Sequence, residues 1–359
     1  MSPEELPSMQ GPVCPLPISQ RDTVVIGHGS GGVLTHQLIR DLFQKHLNSP
    51  RLRAGNDAAA IELPASAPEG LRLVTSTDAH IVTPLSFPGG DIGRLAVCGT
   101  VNDVSMLGAE VRYLTATFIL EEGLPLDELE AVVASMADAA AEAKVEIVAA
   151  DTKVTEKGQC DKLFISTTGI GFAPASRRIA GDQAAEGDLV LLSGPVGNHG
   201  VAVAEARGNL GIRTAIRSDV APLNGMIAAL LQAAPGTHVL RDPTRGGLAT
   251  TLVEIARQSG VDIALEEESI PVDPPVRKAC ELLGLDPLYM ANEGKLIAIV
   301  PAHEEQAALS ALNAHPLGKQ AAVIGRVLGK SAGRLWLRTS LGTTRVLDML
   351  AGAMLPRIC

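Results

Sequence analysis

Apolar positions along the chain alternate between two spacings, and the spacing predicts the elements. Residues 1–20 carry no periodic apolar pattern and read as a flexible extension. Thr23–Ile26 reads as a short strand, followed by the glycine-rich run Gly27–Gly32 and a helix with Leu34, Leu38 and Leu42 on one face. Residues 58–63 and 71–78 read as strands. Gly89-Gly90-Asp91 opens a helix over Ile92–Leu107, with Asp91 as its N-cap. Val111–Leu120 is a strand. Asp127–Lys144 is an amphipathic helix, Val145–Ala150 a buried-type strand with Asp151 just past its end, and Leu163–Phe172 another strand.

The alternation restarts after Pro174–Arg178. Asp188–Ser193 is a strand, and a loop and helix follow it. Arg241–Gly247 leads into a helix reaching about Gln258. Lys295–Val300, Ala322–Leu328 and Arg334–Arg338 read as strands. No regular βαβ period runs through this order, so an α+β (mixed α/β) class with two domains is expected rather than a doubly wound sheet. The expected divisions are a 1–20 extension, a 21–174 N-terminal domain, a 175–345 C-terminal domain and a 346–359 tail. A length of 359 residues suits two cores better than one.

Composition narrows the function. Thirty basic against forty acidic residues give a net charge of −10, which disfavours a nucleic-acid partner. No apolar run approaches the roughly 18 residues of a membrane span, and no secretory signal precedes the first element. The five cysteines are scattered and never form a CxxC pair, so free thiols in a reducing cytoplasm are expected.

The candidate chemistry lies in the turns. GHGSGG at 27–32 matches GxGxxG. Without a βαβ unit or a following acid it is not read as a dinucleotide site. It is either a tight turn or a flap whose backbone N–H groups at Gly29, Ser30 and Gly31 touch phosphate. GRVLGKS at 325–331 is one residue short of a P-loop and is rejected. Asp57, Asp78, Asp103, Asp151 and Asp242 each sit beside small residues. Any one could be a turn former or cap. Together they fit one pocket in which carboxylates hold Mg2+ against a nucleotide triphosphate. Lys153 would neutralise phosphate or act as a base. RDPTRGG at 241–247 offers two arginines at a helix start, and ANEGK places Glu293 before a strand. His80 is expected to line the same pocket as Asp78. The chain ends in Pro356-Arg357-Ile358-Cys359, and a prenylation signal would need that cysteine fourth from the end.

GHGSGG, TDAH, FPGGDIG, GTVNDV, DTKV, TTGIG, SGPVGNHG, DPTRGGLATTL, CELLGLDP, ANEGK and the terminal PRIC run in order from about residue 25 to 359. Together they resemble the HypE family of hydrogenase maturation proteins, within the PurM-like ATP-binding superfamily. The resemblance implies two α/β domains, a homodimer formed through the N-terminal sheet, and ATP held at the dimeric face. It implies that a carbamoyltransferase, HypF, loads a carbamoyl group onto Cys359. ATP-dependent dehydration to a thiocyanate follows, and the cyanide passes to iron on a HypC–HypD scaffold. On this reading Asp57, Asp78, Asp103 and Asp242 hold Mg2+. Asp151, Thr152 and Lys153 join the ATP site, Lys153 and Glu293 remove protons, and Asn102 orients the amide. Asn56 and Ala150 depart from the family pattern, where a second acid and a glycine are usual. Two other readings are an enzyme phosphorylating a free small-molecule amide or acid, and a nucleotide-binding scaffold without turnover.

Overall fold

The computed structural model describes residues 24–47, 49–64, 70–208 and 214–350. Cys359, Cys14, the 1–20 extension and most of the expected tail lie outside the described residues. The first sheet is built from β1 (Ala59–Glu62), β2 (Leu71–His80), β3 (Glu110–Glu121), β4 (Glu146–Thr155) and β5 (Leu163–Pro174), in the order β1-β2-β5-β3-β4. All its pairs are antiparallel except β3–β4. That parallel pair needs a crossover, supplied by the helix Leu126–Ala143.

One face of this sheet is covered by the helix Ile92–Ser105. Asp91 caps it, its Oδ1 accepting from the N–H groups of Gly93 at 2.7 Å and Arg94 at 3.0 Å. Ile92, Leu95, Val97, Val101 and Val104 on this helix are fully buried in the N-terminal core. The opposite face of the sheet is left half open. On β3, Tyr113 on that face is 41% exposed.

The second sheet holds β6 (Leu189–Leu192), β7 (Val239–Arg241), β8 (Val261–Glu266), β9 (Ile297–Val300), β10 (Ala322–Lys330), β11 (Leu335–Arg338) and β12 (Thr344–Leu347), in the order β12-β11-β8-β10-β6-β9-β7. Both its faces are covered, so β6 and β9 are buried at every position and read as unbroken apolar runs. One cluster packs the helix Gly247–Ser259 against the sheet, the other the helices Asn224–Ala233 and Glu305–Ala314.

Three expectations change. Val24 and Val25 have no regular structure, and Ile26–Gly29 is a 3-10 turn, because no neighbouring strand pairs with this segment. Asp151 lies inside β4 rather than past its end, and that strand is exposed rather than buried. Pairing with β11 also carries the second sheet to Leu347, two residues past the expected start of the tail.

Candidate active site

A cavity of about 780 Å³ opens between the two sheets. Asp78 reaches it from β2 and Asp103 from the helix Ile92–Ser105. Asp57 comes from the turn before β1, Asp242 from the turn after β7, and Glu293 from the loop before β9. Five segments distant in sequence thus bring five carboxyl groups to one wall.

Arg241 is the counter-charge inside this group. Its Nε lies 2.8 Å from Asp57 Oδ2, its Nη2 donates to Glu254 Oε2 at 2.8 Å, and its Nη1 donates to the Gly55 carbonyl at 3.1 Å. Glu254 Oε1 in turn lies 2.9 Å from His36 Nε2. The Ser76 hydroxyl lies 2.8 Å from Asp103 Oδ2.

One guanidinium does not offset so many acids. Burial pushes the Asp57 carboxyl up to about 6 even with Arg241 opposing. Burial and the neighbouring Asp57 push Asp242 up to about 8. Asp103 is held well above the usual carboxylate range by burial, then by Asp242, Asp78 and Asp57. Glu293 is raised well above that range too, by burial and then by Asp242, Asp78 and Asp219. The Glu293 Oε1 atom is buried with no hydrogen-bond partner in the protein. His80, 2% exposed, has its pKa lowered by burial and lies 3.7 Å from Asp78 Oδ2.

Crowded carboxylates that raise one another, with an unpartnered oxygen among them, are a donor set that a hard divalent cation and its phosphate ligand would satisfy. Among the described residues, no three acidic, histidine or cysteine side chains already stand in a metal-binding arrangement.

Residues 55–173 match the family described as AIR synthase related protein, N-terminal domain, and residues 185–338 match its C-terminal domain. The carbamoyl dehydratase HypE of Cupriavidus necator is 54% identical over 334 residues, which cover 93% of this chain and 94% of that protein. This chain belongs to the HypE carbamoyl dehydratase family. It is therefore a carbamoyl dehydratase. A solved HypE in complex with ATP is 50% identical, covering 94% of this chain and all of that one, with a TM-score of 0.78. A HypE chain solved in a HypE–HypF complex is 47% identical, covering 87% and 99%, with a TM-score of 0.81.

Within this HypE chain the expected site residues separate into three groups. Asp57, Asp78, Asp103, Asp242 and Glu293 meet at the cavity, with Gly31 at its wall. The glycine-rich turn does not present its amides as a phosphate cradle. The Ser30 N–H donates to the Gly27 carbonyl, and the Gly31 N–H to Thr35 Oγ1. The Gly29 carbonyl accepts from Arg245 at 3.4 Å, so the turn is seated on the RDPTRGG segment. A Cβ at Gly31 would lie 3.0 Å from Arg245, and its φ of +76° suits glycine.

Asn102 is not free to orient an amide. It is 1% exposed, its Oδ1 accepts from Leu223 N–H at 2.8 Å, and its Nδ2 donates to the Ala221 carbonyl at 3.2 Å. It ties the two domains together. Asp151, Thr152 and Lys153 lie away from the cavity on β4, the sheet's far edge. There the exposed Lys153 ammonium pairs with Asp151 at 2.7 Å. That pair, with the Thr152 N–H, holds the Asp151 carboxyl below its usual range.

Arg241, Glu254, His36 and Ser76 were not singled out for these contacts. Glu254 left a readable signal, as the one acid in the otherwise buried helix run LATTLVEIA.

Proposed function

We propose that this chain uses ATP to dehydrate a carbamoyl group carried on the sulfur of its own Cys359, yielding a thiocyanate. The observation that carries the reading is the fastening of Leu350 beside the cavity. The Leu350 carbonyl accepts from Val33 N–H at 3.0 Å, and the Leu350 N–H donates to Thr250 Oγ1 at 3.4 Å. Gly31 and Thr251, beside these partners, line the cavity. Asp348 extends the attachment, its carbonyl accepting from the Tyr289 hydroxyl and its carboxylate pairing with Arg257. Nine residues separate Leu350 from Cys359, a reach of about 30 Å at 3.3–3.6 Å each. The thiol can therefore enter the cavity without the domains separating.

The chemistry follows from the groups at the wall. The oxygen of a thiocarbamate amide is a poor leaving group. Attack by that oxygen on the γ-phosphorus of ATP expels ADP and makes the oxygen part of a phosphate ester. Removal of the two nitrogen protons, with cleavage of the carbon–oxygen bond, gives the nitrile and inorganic phosphate. Asp57, Asp78, Asp103 and Asp242 would hold Mg2+, which offsets the charge developing on phosphate. Arg241 fixes Asp57 for that role. Glu293 is raised well above the usual range by burial and by neighbouring carboxylates; neutralising those neighbours relieves part of the rise, so Glu293 can give up its own proton and serve as the acceptor.

Lys153 is the second proton-handling group, and it joins the cavity from a neighbouring copy. A homodimer formed through the half-open face of the first sheet would cover Tyr113. It would also carry the partner's Lys153 toward the carboxylates, with Asp151 and Thr152 beside it contacting ATP. HypF, seen with a relative, supplies the carbamoyl group, and HypC–HypD receives the cyanide. Among the described residues no helix is long and apolar enough to cross a membrane. We place the reaction in the cytoplasm.

Intact-mass measurement tests the reading. After incubation with HypF, carbamoyl donor and Mg·ATP, a carbamoyl adduct on Cys359 is expected, followed by loss of one water. An adduct that persists with ATP present refutes it. So does ATP-dependent turnover of a free amide by a chain lacking Cys359.

A further inference from the structure

The cavity wall explains why a proton acceptor is useful at Glu293 but not what fixes it there. Glu293 sits in a loop, and its side-chain oxygen Oε1 touches no protein donor. Three backbone contacts hold it. The Glu293 N–H donates to Asp219 Oδ1 at 3.1 Å. The Glu293 carbonyl accepts from Ala221 N–H at 3.3 Å and from Asn102 Nδ2 at 3.5 Å.

The Asp219 carboxylate has a second task. Its Oδ2 lies 3.1 Å from Lys295 Nζ, with the two side chains only 6% and 11% exposed. One oxygen thus takes the amide before Gly294, and the other takes the ammonium after it. Gly294 lies between, and a Cβ there would stand 1.8 Å from the Asp219 carbonyl oxygen. The segment carrying Asp219 is itself fastened to the N-terminal domain. Ser218 N–H donates to the Pro88 carbonyl at 2.7 Å, and Arg94 Nε to the Val220 carbonyl at 3.1 Å.

We infer that Asp219 is a positioning residue for the dehydration. It clamps the Glu293 backbone and, with Lys295, hangs the Glu293 carboxyl into the cavity from a strap that spans both domains. The inference rests on the proposed role of Glu293. A carboxylate suits the position because the clamp needs two acceptors, one for a neutral N–H and one for a buried cation. Lys295 keeps the buried Asp219 charge from standing alone.

Three variants and two readouts test the clamp. Asp219→Asn keeps an oxygen for the Glu293 N–H but loses the ion pair. Asp219→Ala loses both. Gly294→Ala leaves the charges intact and forces the loop off the strap. With Mg·ATP and carbamoylated full-length chain, Asp219→Ala and Gly294→Ala should each lower kcat about a hundredfold, the cost of misplacing a reacting group by about 1 Å. ATP affinity should stay within about threefold, and Asp219→Asn, which keeps the amide contact but leaves Lys295 without its counter-charge, should lose clearly less of kcat than Asp219→Ala.

Hydrogen exchange at the Glu293 amide is read in parallel without turnover. It should accelerate in Asp219→Ala and Gly294→Ala and stay slow in Asp219→Asn. If Asn and Ala lose kcat equally, Asp219 serves only as an ion-pair partner and the clamp is refuted. If the Glu293 amide keeps its protection in all three, the clamp is refuted whatever the rates. Should Asp219→Ala fail to fold, the protection of the Glu293 amide in Gly294→Ala against Asp219→Asn still decides the clamp. If the amide is released in Gly294→Ala while kcat holds, the clamp stands and the catalytic role of Glu293 fails.

Discussion

Replacing Asp242 with asparagine removes the charge that the cavity accommodates worst. Its carboxyl is shifted from 3.8 to about 8, by burial first and by Asp57 second. Between those values the folded protein keeps a proton that the unfolded chain has released. Stability is therefore present below pH 4 and lost as pH rises toward 8. At ~1.36 kcal/mol per unit the full displacement corresponds to ~6 kcal/mol as a ceiling. Part of it comes from the Asp57 charge rather than from burial alone, so Asp242→Asn should recover about 2–5 kcal/mol at pH 8.5 and little at pH 4. Urea unfolding in EDTA, followed by the single tryptophan, reports the domain concerned, because Trp336 lies on β11 and is 4% exposed. Wild type should lose stability from pH 5.5 to 8.5, and the variant should lose less. Mg2+ should restore wild type at pH 8.5 and help the variant less. A wild-type stability that is flat or rising across this window, or a variant that runs parallel to it, would refute the electrostatic account.

Arg241→Met should destabilise the protein by about 3–5 kcal/mol, because Asp57 and Glu254 would remain buried without their counter-charge. The double change Arg241→Met, Asp57→Asn should regain part of that in the same urea assay, and no recovery would mean that packing rather than charge dominates. Mixing inactive Lys153→Met chains with inactive Glu293→Gln chains should restore up to about a quarter of wild-type turnover if each site takes its lysine from the partner. Absence of recovery, with subunit exchange confirmed by native mass, would place Lys153 in its own chain's site or outside catalysis.

Much of the fold was legible because most of its strands have a consistent side. The helix Ile92–Ser105, its Asp91 cap and the strands β2, β3, β5, β6 and β9 follow the apolar spacing closely. Asp57, Asp78, Asp103, Asp242 and Glu293 could be found because small residues flank each of them. What the pattern could not carry was partnership. Val24-Val25-Ile26 has a strand's composition but no strand to pair with. Val145–Ala150 reads as a buried strand, yet β4 runs on to Thr155 and is exposed along nearly its whole length. Asn102 stands beside a catalytic-looking Asp103 on one helix. A turn of about 100° separates them, so Asp103 faces the cavity while Asn102 faces the strap at Leu223.

The fastening of Leu350 beside Gly32 also has a kinetic meaning. A Cβ at Gly32 would lie 2.1 Å from the Leu350 oxygen, so the two backbones meet at a fixed point. One thiol confined within about 30 Å of that point has a local concentration on the order of 10 mM. At such a concentration a substrate needs almost no affinity of its own for the cavity. On the proposed reading, the pocket can then be shaped for the departing phosphate, and each protein molecule would carry one equivalent of product rather than release it into bulk water.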